Sequence, residues 1–169
     1  MLAAMKIRKA HLADCTVIAD FNTRLAWETE KMQLNRQTIH LGVRTALKDA
    51  AKGTYFVAEQ DGEVIGQLLI TNEWSDWRNG NFWWIQSVYV AAEHRQSGVF
   101  RALFAHVQKL AGTRQDVCGL RLYVEKNNHH AQKTYAKLGM AKTHYDIFEA
   151  DLRLKTKLAP PRTRAKLRA

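Results

Sequence analysis

The stretch Phe82–Phe104, FWWIQSVYVAAEHRQSGVFRALF, constrains this chain more than any other. Phe82–Val90 is dense in aromatic and β-branched residues and predicts a buried strand. A turn follows, Arg95-Gln96-Ser97-Gly98. Val99, Phe100, Leu103, Phe104, Val107, Leu110 and Ala111 then recur at helical spacing. A glycine-bearing turn that opens into a helix presents backbone N–H groups without intrahelical acceptors, and the positive end of the helix dipole adds to them. Such a corner favours a phosphate, and Arg95 supplies a mobile positive charge. The spacing Arg-x-x-Gly-x-Phe is neither the dinucleotide glycine pattern nor a P-loop with its Gly-Lys-Ser/Thr. On its own it also fits a plain strand–turn–helix corner.

A second segment, Leu120–Met140, reads LRLYVEKNNHHAQKTYAKLGM. Leu120–Val124 predicts a short strand. Asn127 or Asn128 suits the cap of a following helix, because an Asn side chain accepts from the first free N–H groups. Ala131, Tyr135 and Leu138 share one helical face, and Gly139 suits a left-handed residue at the helix end. Arg95-Gln96-Ser97-Gly98-Val99 followed by Asn128-x-x-Ala131-x-x-x-Tyr135-x-x-x-Gly139-Met140 resembles the GNAT superfamily of acetyl-CoA-dependent N-acetyltransferases. The two motifs come in the family's order and at its distance. The resemblance covers residues 82–150 and extends back to about residue 5. The family's loop usually reads Arg/Gln-x-x-Gly-x-Gly/Ala, whereas the last position here is Phe100. That side chain fits if it points into the core and leaves only its N–H facing the phosphate.

Length and composition agree with one domain. At 169 residues and 46% hydrophobic, the chain can bury a full core. No apolar run reaches the length of a membrane span, and MLAAMKIRKA lacks a signal peptide's apolar region. Cys15 and Cys118 are too few for a disulfide framework or a zinc site. A reducing cytoplasm is therefore the expected compartment. The net charge of +10 is mostly local: residues 153–169 hold seven basic residues and no acid, and setting those aside leaves +3. The expected division is a catalytic domain over residues 1–154 and a basic tail over residues 155–169. The tail reads either as a weak, salt-sensitive hold on nucleic acid, ribosome or anionic surface, or as a solubilising terminus.

The remaining elements follow from periodicity and turn chemistry. Lys6–Lys9 predicts a strand, and His11–Trp27 and Arg36–Ala51 predict helices. Tyr55–Gln60 and Val64–Ile70 predict a hairpin about Asp61-Gly62. Trp74–Asn81 reads as a polar and aromatic loop. A final strand pair is expected near Ala141–His144 and Ile147–Arg153. This α/β order matches what the GNAT resemblance implies: a single-domain mixed sheet, splayed between its fourth and fifth strands and flanked by about four helices. The pantetheine arm of acetyl-CoA would lie in that wedge.

Acetyl transfer to an amine needs a neutral amine, a polarised carbonyl, a proton for the leaving thiolate and a fixed orientation. The resemblance implies that Val88, Tyr89 and Val90 bind the pantetheine through their backbone, with an N–H near Val88 facing the thioester oxygen. Arg95, Gln96, Ser97, Gly98, Val99, Phe100 and Arg101 would hold the pyrophosphate. Asn128 and Ala131 would meet the pantetheine arm, and Tyr135 matches the tyrosine that protonates the coenzyme A sulfur. An alkylammonium has a pKa near 10, so a base or a water chain is expected. Glu73 and Glu28 are the candidates for base or amine anchor. Glu30, Trp74, Asp76, Trp77, Gln86 and Glu149 are candidate acceptor-site residues. Gln86, on the central strand, cannot accept the proton. Trp74 and Trp77 read as an aromatic wall, or as a hydrophobic plug under the loop or at a dimer contact. His129 and His130 diverge by about 100° on a helix, so no metal site is expected.

Neither cysteine sits in a motif suited to a covalent intermediate, which favours direct transfer. Two other readings stay open: a coenzyme A-binding regulatory module without turnover, and a nucleic-acid or ribosome-associated protein acting through the tail. Many relatives of this kind pair as dimers, so the resemblance also leaves a homodimer open.

Overall fold

The computed structural model describes residues 5–150 and 152. Five strands form one sheet in sequence order: β1 (Lys6–Lys9), β2 (Thr54–Gln60), β3 (Glu63–Ser75), β4 (Gly80–Val90) and β5 (Val117–Arg121). The first four pair antiparallel, and β4 pairs with β5 in parallel. Four helices flank it: α1 (Cys15–Glu30), α2 (Arg36–Lys48), α3 (Val99–Gly112) and α4 (His129–Lys137). The mixed sheet and the helix number are those the sequence implied. No helix among the described residues is long and apolar enough to cross a membrane.

Strand alternation separates two cores. Trp83 and Ile85 of β4, with Phe56, Leu68 and Ile70, pack against Leu103, Phe104 and Val107 of α3. On the other face Tyr55 and Val57 meet Ile18 and Ala19 of α1 and Val43 of α2. Trp83 is therefore buried and Trp84 lies on the opposite face, partly exposed. The β2–β3 turn holds Asp61 at φ 52° and Gly62 at φ 82°, the two left-handed residues of a tight hairpin. Asn35 caps α2 by accepting from the Thr38 N–H at 2.9 Å.

Three expectations are corrected. The Trp74–Asn81 loop is half ladder: Trp74 pairs with Asn81 and Ser75 with Gly80, while Asp76–Arg78 and Asn79 turn the chain. Strand pairing there outweighs the local polarity that suggested a loop. The last strand begins at Val117, not Leu120, because its ladder is fixed by Asn81–Trp84. Residues 141–150 form no strand; Tyr145, Ile147 and Phe148 face solvent instead of a neighbouring edge. Arg153, which ends the expected final strand, and the tail at 155–169 lie outside the described residues.

One buried charge ties β1 to the start of α1. Asp14 is 5% exposed. It accepts from Arg8 Nη1 at 2.7 Å, from Arg8 Nη2 at 2.9 Å and from the His11 N–H at 2.8 Å. Burial alone pushes this carboxyl up, but the bonds from Arg8 and His11 outweigh it, and its pKa falls below the usual 3.8. A carboxylate depressed on folding stabilises above its unfolded pKa and loses that contribution as pH falls through the folded value. Asp14→Ala, which leaves Arg8 only its bond from Nε to Glu59, should cost about 2 kcal/mol at neutral pH. Urea unfolding at pH 7 and at pH 3 checks this: the gap between variant and native chain should narrow at the lower pH, and an equal gap would assign the loss to packing.

Candidate functional site

The sheet opens where β4 changes register. Gln67 pairs with Tyr89 but Leu69 pairs with Gln86, so Ser87 and Val88 together stand opposite Leu68. This is a bulge, and Ser87 has φ 49°. On the other side of β4 the ladder to β5 covers Asn81–Trp84 only and ends at Arg121. Beyond Trp84, β4 runs on to Val90 with no β5 partner, and a wedge opens. A buried polar chain underlies the bulge. Gln67, fully buried, donates through Nε2 to the Ser87 carbonyl at 3.3 Å and to Asn22 Oδ1 at 2.9 Å. Asn22 in turn donates to the Tyr55 hydroxyl at 3.0 Å.

The phosphate-type corner lies at the end of β4. Gln96 and Gly98 adopt φ 65° and 88°, and Ser97 Oγ donates to the His94 carbonyl at 2.6 Å. The loop ends at Gly98, whose carbonyl accepts from Ala102 N. The N–H groups of Val99, Phe100 and Arg101 therefore begin α3 without intrahelical partners. No acidic residue occupies that first turn. Phe100 turns away from the corner. Its ring lies 6.1 Å from Phe104 and edge-on to Tyr135 at 5.6 Å. The bulky residue is thus accommodated between α3 and α4. Gly66 lets β3 approach α3, since a Cβ there would meet Val99 Cγ1 at 2.8 Å.

Arg95 does not hang free. Its Nε donates to the Val90 carbonyl at 3.0 Å and its Nη2 to Glu28 Oε2 at 2.7 Å. Glu28 Oε1 accepts from the Tyr89 hydroxyl at 2.9 Å. Burial pushes the Glu28 carboxyl up, yet these two bonds bring it below its ordinary value. A lowered carboxylate is a weaker proton acceptor. On α4, Asn128 Oδ1 accepts from the Ala131 N–H at 3.0 Å and caps the helix. Tyr135, two turns into it, is half-buried; desolvation raises its pKa, so its hydroxyl keeps its proton at neutral pH.

The sheet face on the α1–α2 side carries the remaining candidates. An open cleft of about 540 Å³ lies between α1, α2 and the sheet, with Asn22, Glu30, Tyr55 and Ser87 in its lining. Gln86 donates to Thr71 Oγ1 at 2.6 Å. Glu73 accepts from Arg121 at 2.8 Å and from the Trp84 indole N–H, so both its oxygens are engaged. Trp74 points to the opposite face from Glu73 by strand alternation. Trp74 and Trp77 are 59% and 92% exposed, so neither packs as a plug under the loop. Asp76 accepts from the Trp77 N–H, and Glu149 is exposed without a hydrogen bond to any described residue. Sequence reasoning missed Arg121 and Tyr123. Their alternation with Leu120 and Leu122 was the available signal, because it turns both toward Trp84, whose ring is 6.1 Å from Tyr123.

The family model described as "Acetyltransferase (GNAT) family" matches residues 12–140. The chain belongs to the GNAT acetyltransferase family. Members of this family move an acetyl group from acetyl-CoA. The chain is 42% identical to a "possible acetyltransferase" of known structure from Clostridium difficile 630, with a TM-score of 0.82 over 88% of this chain and 97% of that one. A predicted acetyltransferase from Clostridium acetobutylicum, solved with acetyl-CoA, shares the fold at 18% identity, with a TM-score of 0.71 over 88% of this chain and 97% of the other. The chain is also 32% identical over 88 residues to a streptothricin acetyltransferase of Escherichia coli, a match covering 52% of this chain and 47% of that protein. The chain thus spans about half the length of that curated relative.

Proposed function

We propose that this GNAT protein transfers the acetyl group of acetyl-CoA directly to a primary amine. The observation that carries the reading is the bulge at Ser87–Val88 beside the open end of α3. The unpaired edge of β4 at Val88, Tyr89 and Val90 would take the pantetheine as a missing strand. The loop Gln96–Gly98 and the first amides of α3 would take the pyrophosphate. Asn128 and Ala131 lie at the capped start of α4, where the pantetheine arm would pass. Arg95 would exchange its bond to Glu28 for a phosphate oxygen.

The amine attacks the thioester carbon from the α1–α2 face. The C–N bond forms, the oxyanion is met by the Val88 N–H, and the C–S bond breaks. Tyr135 gives its proton to the departing thiolate and regains one from solvent. The ammonium proton leaves through water, since Gln86 cannot accept it, Glu73 is held by Arg121 and Trp84, and Glu28 keeps its bond from the Tyr89 hydroxyl. Glu28, once Arg95 turns to the phosphate, favours a cationic amine by its charge, whereas the charge of Glu73 is already met by Arg121. The relative named for streptothricin favours a small-molecule acceptor over a protein. The engagement of both carboxylates favours the second reading, a coenzyme A-binding module without turnover.

Calorimetric titration with acetyl-CoA tests the cofactor. Micromolar binding is expected, and none at millimolar ligand overturns the proposal. An amine screen read by coenzyme A thiol release then separates enzyme from binding module. Acetylation of any primary amine supports the first, and binding without release across the screen leaves the second.

A further inference from the structure

The Glu73–Arg121 pair has a construction that amine recognition does not explain. Gly119 lacks a side chain where the Phe82 ring lies; a Cβ there would meet Phe82 Cε1 at 2.7 Å. The ring therefore lies over β5, and the Arg121 guanidinium stacks on it at 3.6 Å from the centroid. A second guanidinium, Arg78, lies 4.8 Å from the same ring. Glu73 binds Arg121 through Nη1 alone and is itself fixed by Trp84. The Nε and Nη2 groups of Arg121 meet no acceptor among the described residues, although its side chain is 35% exposed. Two arginines against one carboxylate leave this patch positive. A guanidinium held flat on a ring, with one edge open, is preorganised for a planar anion.

We infer that Arg121 is a specificity residue which reads a carboxylate on the acceptor, so that the acceptor is an amino acid or short peptide carrying its amine at a distance from that carboxylate. The inference rests on the acetyltransferase reading for the amine but not for the anion. Arg121 stands opposite Trp84, and the bulge follows three residues along β4. At about 3.3 Å per residue the carboxylate lies about 10 Å from the reacting carbon. An amine carried on a chain of about five carbons spans that distance. Arg121 lies on the far side of the bulge from Arg95 and the α3 corner, so it stands apart from the proposed phosphate site. Arg78 reinforces the charge from the β3–β4 turn.

The test compares 6-aminohexanoate with its neutral amide, 6-aminohexanamide. Two readouts are used: acetylation by thiol release, and tryptophan fluorescence without acetyl-CoA, which reports binding beside Trp84. The native chain should use and bind the acid at least about tenfold better than the amide. Arg121→Gln should bring that ratio to about one while the KM for acetyl-CoA stays unchanged. Because Arg121→Gln strands Glu73, the double variant Arg121→Gln, Glu73→Gln keeps the patch neutral and should show the same lost preference. Equal use and binding of acid and amide by the native chain overturns the inference, as does a preference that survives both variants. Acid-selective binding without acetylation sustains it while the acetyltransferase reading falls. Acetylation of both probes without preference does the reverse.

Discussion

Gly98→Asp is expected to remove acetyl-CoA binding while leaving the fold intact. Gly98 sits at φ 88° with nothing within 4 Å of a built Cβ, so the substitution meets no steric obstacle. The left-handed conformation costs an L-residue about 1 kcal/mol, and less for aspartate, which tolerates it better than most. Aspartate at the first position before a helix also sets a negative charge against the positive end of the dipole. The carboxylate would thus stand beside the amides of Val99, Phe100 and Arg101 that are otherwise open to phosphate, and would repel the pyrophosphate. A loss of more than about 100-fold in affinity follows from displacing those charge-assisted bonds. Gly98→Ala carries only the conformational cost and should lose no more than about tenfold. Calorimetry gives the affinities and circular dichroism the fold. Native affinity in the aspartate variant would move the phosphate away from this corner.

The corner was readable because everything that makes it is local. The β4 residues, Gly98 and the helical spacing after it sit within one run of sequence, and the structure places them as expected. So does the Asp61-Gly62 hairpin, whose turn residues state their own geometry. What was hidden depends on partners far apart in the chain. The bulge needs Gln67 of β3 to hold the Ser87 carbonyl, and nothing in the residues of β4 announces it. Glu28 looked like a free base until it met Arg95, 67 residues away. Glu73 looked like one until it met Arg121, 48 residues on. A carboxylate's availability is a tertiary property, and sequence supplies only its presence. The β3–β4 extension was missed for the same reason: Trp74–Asn81 is polar enough for a loop, but Trp74 and Ser75 gain ladder partners in Asn81 and Gly80. Phe100 is the instructive middle case. Its departure from the family pattern was visible, and its harmless direction depended on Phe104, one turn away, and on Tyr135 of the next helix.

Tyr135→Phe is expected to lower kcat by about 100-fold, the effect of removing a positioned general acid, with acetyl-CoA affinity changed less than about twofold. The substitution is close to silent in packing. The ring keeps its edge contact with Phe100, and the hydroxyl makes no hydrogen bond to any described residue, so its loss strands no partner. Stability should stay within about 0.5 kcal/mol. The pH profile separates a proton donor from a packing residue. Burial raises the Tyr135 pKa above the usual 10, so the acid remains protonated across the neutral range. In the native chain, turnover limited by this group should therefore rise with pH as the amine deprotonates, and fall only above about pH 10, where the phenol ionises. The phenylalanine variant should keep the rising limb and lose the falling one, because no proton remains there to be lost. A variant that is slow but still shows the alkaline fall would place the acid elsewhere. A variant with native kcat would mean that the thiolate leaves without help, its own pKa being low enough for water to serve.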